Sequence, residues 1–117
     1  MNRKNYILFL FLITAGAINA QSWQWAKEAN SGSTELIWDL ACDTATGNIY
    51  AGGHFDGDLS AVYGASFSSS NGQSDGVVAK YDSNGNVLWA IKIGGTGKEE
   101  VRGITVDATG NIYVSGI

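Results

Sequence analysis

Few side chains in this sequence stand where chemistry would need them, and each has a plainer use. Asp56 and Asp58 lie two apart in a polar stretch, where with backbone carbonyls they could ligate a hard cation; solvated loop acids are the commoner outcome. Asp82, Asn84 and Asn86 fall at alternate positions, as in a calcium loop. An EF-hand needs Gly at its sixth position and a bidentate Glu at its twelfth, and Val87 and Ile93 stand there instead. His54 is the single histidine, so neither a His-dependent triad nor a multi-histidine metal site can be assembled. It reads as a loop-edge residue. Gly94-Gly95-Thr96-Gly97-Lys98 has the look of a phosphate loop, but Lys92 occupies the first glycine position and Glu99 follows the lysine, so the motif fails at both ends. That run reads as a turn between structural units. Trp23 and Trp38 are candidate stacking platforms for a sugar, whereas Trp25 and Trp89 read as core. Cys42, the lone cysteine, cannot build an intrachain disulfide framework and reads as a small buried hydrophobe. No catalytic, cofactor-binding or metal-ligating set emerges, no cofactor is expected, and the ligand-binding residues are unknown.

Residues 1–20 carry a different message. Arg3 and Lys4 precede an apolar run from Tyr6 to Ile13, and small residues follow at Ala15-Gly16-Ala17 and Asn19-Ala20. This is a signal-peptide pattern, too short for the roughly 20 apolar residues of a spanning helix. Cleavage is expected after Ala20, with Ala17 the alternative. Its removal leaves five basic and eleven acidic side chains, a net charge of −6. So acidic a chain, without clustered Lys or Arg, lacks the footprint that a phosphate backbone requires. Nucleic acid is excluded as a partner, and no membrane span is expected after cleavage.

The elements that would position any site come from repetition. With Trp25-Ala26 set over Trp89-Ala90, Glu35 meets Glu99, Leu40 meets Ile104, Cys42 meets Val106 and Asp43 meets Asp107. One extra residue near Thr46 then brings Gly47-Asn48-Ile49-Tyr50 onto Gly110-Asn111-Ile112-Tyr113 and Gly53 onto Gly116. Nine of the 28 paired positions are identical, so the unit recurs. Asp82-Ser83-Asn84-Gly85-Asn86 and Asp107-Ala108-Thr109-Gly110-Asn111 share the form D-x-x-G-N. Asp can bond the backbone two residues on and Gly supplies a positive φ, so each predicts a hairpin turn. The flanking runs are rich in β-branched and aromatic residues and the chain has no proline, predicting strands near 36–42, 48–53, 76–82, 86–93, 101–106 and 111–116. In the fourth, Val87, Trp89, Ile91 and Ile93 are expected on one face and Leu88, Ala90 and Lys92 on the other. Apolar residues on both faces predict a sheet covered on both sides. The reading is all-β: β-propeller blades of four antiparallel strands, about one and a half present over residues 21–117, with a long loop from His54 to Asp75. An unclosed ring of this kind is expected to leave Val77, Val87, Trp89 and Ile104 exposed.

The run from Asp75 to Ala90, Ile93-Gly94-Gly95-Thr96-Gly97, and the run from Gly103 to Gly116 together resemble the SBBP family, the seven-bladed β-propeller repeat. Phe55 and Gly57 also fit that family's segment after the second strand. The first copy departs from it, with Asn30-Ser31-Gly32 in place of Gly-Gly-Thr. The resemblance implies secreted, often multidomain bacterial proteins in which the propeller is a scaffold, and it carries over no catalytic residue. Gly103 to Tyr113 is also similar to the NHL repeat, and Asp82 to Trp89 to the turn that docks blades in quinone-type propeller dehydrogenases. The function expected is therefore non-catalytic binding or scaffolding outside the cell or at its surface, with a protein or carbohydrate ligand of unknown identity and ring closure by the rest of the protein's own propeller. The rivals are a propeller enzyme with catalytic groups elsewhere and a purely structural spacer.

Overall fold

The computed structural model describes residues 22–28, 33–57, 67 and 73–117. The leader read over 1–20, and Asp58 with it, lie outside the described residues. Six strands appear: β1 (Glu35–Asp43), β2 (Asn48–Phe55), β3 (Asp75–Tyr81), β4 (Val87–Ile93), β5 (Val101–Val106) and β6 (Ile112–Gly116). The first four form an antiparallel sheet in chain order, and β5 and β6 form a separate two-stranded sheet. The protein is thus all-β among the described residues. No helix there is long and apolar enough to cross a membrane.

Each hairpin turn is built by its aspartate. Asp82 Oδ1 accepts from the amides of Asn84 and Asn86 at 2.9 and 2.8 Å, and Oδ2 accepts from Asn86 Nδ2 at 2.9 Å. Asp107 holds Thr109 and Asn111 in the same way. Gly85 and Gly110 take φ of 80° and 86°, which a Cβ would oppose. The β1–β2 turn has its extra residue at Thr46. There Asp43 accepts from the Ala45 amide and the Thr46 hydroxyl, and that hydroxyl in turn accepts from the Asn48 amide.

The central strands β2 and β3 bury both faces. On one lie Ala51, Phe55, Val77, Ala79 and Tyr81, with Trp25, Ile49, Phe67, Val87 and Ala90 against them. On the other, Tyr50 and Val78 meet Val101 and Ile104 of β5, flanked by Ala41, Trp89, Val106 and Ile112. The β5–β6 hairpin therefore stacks on the sheet. Gly52 makes this stacking close, since a Cβ there would lie 2.7 Å from Val101 Cγ1.

Several expectations need correction. A register shift between Lys80 and Tyr81 sends Val87 to the Ala90 side, away from Trp89. Trp89 is half-buried, 6.2 Å between ring centroids from Tyr50. Val77 and Ile104 are buried, not exposed, because the two core clusters cover them. His54 and Phe55 belong to β2, so the connection to β3 starts later than expected. Cys42 is exposed, because it lies on the outer strand β1 opposite Ile49, beyond the reach of the packed residues of β2 and β3.

The two hairpins match in detail. Both break register at corresponding points, between Ile37 and Asp39 and between Val101 and Gly103. At both, a glycine of the second strand sits under a carbonyl of the first: a Cβ on Gly53 would collide with Leu36 O, and one on Gly116 with Glu100 O. Their surroundings differ. Val101 is 3% exposed, whereas Ile37 at the matching position is 40% exposed.

Candidate functional site

Where β5 begins, the stacking of hairpin on sheet brings five polar or aromatic side chains together. Glu100, just before β5, is buried, yet its carboxylate is ionised and each of its oxygens has a cationic partner. Lys98 Nζ lies 2.7 Å from Oε1, while Arg102 reaches Oε2 through Nε at 2.8 Å and through a terminal nitrogen at 2.7 Å. Hydrogen bonds from Lys98 and then Arg102 hold the carboxyl below the usual glutamate range, against the opposing pull of desolvation. His54 of β2 places Nδ1 3.8 Å from Glu100 Oε1. The same Nδ1 accepts the indole N–H of Trp38 at 3.1 Å. Arg102 then lies over the Trp38 ring, 5.3 Å from its centroid, a cation–π contact.

Local backbone geometry explains the assembly. Trp38 and Arg102 are the residues skipped at the two register breaks, and such bulges re-aim a side chain. Next to them, Asp39 reaches across from β1: Oδ1 accepts from the Leu40 amide at 2.9 Å and Oδ2 from the Ile104 amide at 3.0 Å. A Cβ on Gly103, which corresponds to Asp39 in the second hairpin, would lie 4.0 Å from Asp39 Oδ2.

The candidates named from sequence fare differently. Trp38 is 47% exposed, but Arg102 covers its ring and His54 holds its N–H, so it is not a bare platform. Trp23 is 92% exposed. Trp25 packs on Tyr81 at 5.7 Å between ring centroids and donates its N–H to Ser83 O. His54 is buried within a strand and not at a loop edge, because Trp38 and Glu100 close over it. Asp56 is half-buried and donates its amide to Thr34 O. Gly94 to Lys98 links β4 to β5, with the Gly95 amide donating to Glu99 Oε2 at 3.1 Å. Among the described residues no group of three or more His, Cys, Asp or Glu could hold a metal ion. Sequence reasoning passed over Glu100 and Arg102 and weighed Lys98 only as part of a phosphate loop; their E-x-R and K-x-E spacing along an extended chain, which puts alternate residues on one face, was the available signal.

The turn aspartates give the molecule an acid-sensitive element. Asp107 is held far below its ordinary value, first by the Thr109 hydroxyl and then by Asn111, and Asp82 and Asp43 are lowered by the same kind of bond. A folded pKa below the unfolded one contributes stability that is present above the unfolded value, about 3.9, and is lost as pH falls towards the folded value. Thermal melts in a pH series should therefore show stability declining below about pH 4. Asp107→Asn should be less stable at neutral pH and have a shallower acid slope; an unchanged slope would remove Asp107 from the cause.

In comparison with known proteins, the chain matches no protein-family model and no curated protein.

Proposed function

We propose that this protein is an exported, non-catalytic β-propeller scaffold that binds a protein or carbohydrate at or beyond the bacterial envelope. The observation that carries the reading is the stacking of two like-built hairpins. The β5–β6 hairpin repeats the turn, the register break and the glycine approach of β1–β2, and lies face to face on the sheet that β1–β2 begins. Radially stacked antiparallel sheets are how propellers cover both faces of each blade. The resemblance to SBBP repeats and the leader pattern at 1–20 add the export reading.

Expression with the leader intact tests both halves. The product should appear outside the cytoplasm, and its intact mass should show cleavage after Ala20 or close to it. Class averages by electron microscopy of the protein with the rest of its propeller present should show sheets arranged around an axis. Full-length protein retained in the membrane would overturn export, and a flat sandwich without an axis would overturn the propeller. Turnover of a sugar or quinone substrate would transfer the reading to the enzyme class.

A further inference from the structure

We propose that His54 is a proton-controlled latch, which holds Trp38 when neutral and turns to Glu100 when protonated. The present arrangement fixes the starting state. An indole N–H can only donate, so Nδ1 of His54, which accepts it at 3.1 Å, carries no proton, and the imidazole is the neutral form protonated on Nε2. Glu100 Oε1 waits 3.8 Å from the same nitrogen. A proton on Nδ1 sets it donor-to-donor against Trp38 and leaves Glu100 as the nearby acceptor. A displacement of about 1 Å then makes a charge-assisted hydrogen bond.

The charged groups around this nitrogen are few. From the segment entering β5 come Glu100 and its two cations, Lys98 and Arg102, whose side chains are both more than half exposed and so are screened by water. From β1 comes Trp38, which is uncharged, and across β3 the partner of His54 is Gly76, which has no side chain. Asp39 of β1 lies opposite Gly52, with its carboxylate held by the Leu40 and Ile104 amides, and Glu100, 3.8 Å from Nδ1, is the buried carboxylate that faces His54 among the described residues. Trp38 is also free to respond: as the residue skipped at the β1 register break, it can swing without opening the β1–β2 ladder. Acid would tighten the tie between β2 and the start of β5 and release the Trp38 indole N–H.

Because the sequence holds one histidine, its ring proton resonance reports His54 unambiguously. NMR of the folded protein in a pH series between about pH 8 and about pH 5, the interval in which histidine generally changes charge, follows the charge of the ring through that resonance. Hydrogen exchange at the Trp38 indole, referenced to the exposed Trp23 indole to cancel intrinsic pH effects, should speed up about five- to tenfold with the same midpoint, the equivalent of one hydrogen bond. In His54→Gln the Trp38-to-Trp23 ratio should be flat with pH. In Glu100→Gln, or Glu100→Asp should the first not fold, release should need more acid. A titrating His54 with a constant ratio, or a His54 that stays neutral across the interval, would overturn the latch. The acid loss from the turn aspartates begins below this interval and cannot imitate it.

Discussion

Gly53→Ala should be among the most damaging single changes in this protein, costing about 3 kcal/mol or more in denaturant melts, the upper range for overpacking against atoms that cannot give. The new methyl group would collide with the backbone oxygen of Leu36. A side chain can rotate away from such a contact; a carbonyl in a paired strand cannot, so β1 must lift off β2. The matching change, Gly116→Ala, meets Glu100 O and should act in the same direction, with the β5–β6 amides losing hydrogen-exchange protection first. Near-wild-type melts for both variants would mean that the strands part at little cost and that the close approach does not hold the hairpins together.

Phe55→Ala comes next. Phe55 is completely buried, packed in the cluster of Ala51, Val77 and Tyr81 and facing Phe67 at 6.0 Å between ring centroids. Truncating a buried Phe costs about 3–5 kcal/mol, the spread depending on how far the walls collapse. The small residues around it, Ala51 and Ala79, have no slack to fill the space, so the upper half of that range is expected. Phe55→Leu should recover most of the loss. If alanine and leucine behaved alike, the ring would not be filling the core as described.

What was readable in the sequence was local. The D-x-x-G-N turns followed from an aspartate and a glycine a few residues apart, and every hydrogen bond expected of them lies within that span. All six strands were visible from alternation and turn signals because a hairpin turn fixes the strands on either side. Val87 alone was placed on the wrong face of β4, because the single register shift at Tyr81 moves it to the Ala90 side, and nothing in Tyr81 or Val87 announces it. His54 was placed at a loop edge because its surroundings come from Trp38 on one strand and Glu100 far along the chain. Cys42 illustrates the reverse error. Its counterpart Val106 packs on the sheet, but the matching side of β1 has no such cover among the described residues, so an apolar position in the pattern is not a buried position in the fold.

Asp39 has a consequence for how this protein stays out of trouble. The side of β5 not paired with β6 runs past β1, and an open strand edge of that kind offers its amides to any extended chain that drifts by. The Asp39 carboxylate occupies the Ile104 amide in the middle of that edge and sets a negative charge where an incoming strand would lay its own carbonyl. The edge is guarded from the neighbouring hairpin and not by a residue of β5 itself, so protection against intermolecular strand pairing exists only once the hairpin has docked. A chain whose hairpin has formed but not yet docked would therefore leave that amide open to intermolecular strand pairing.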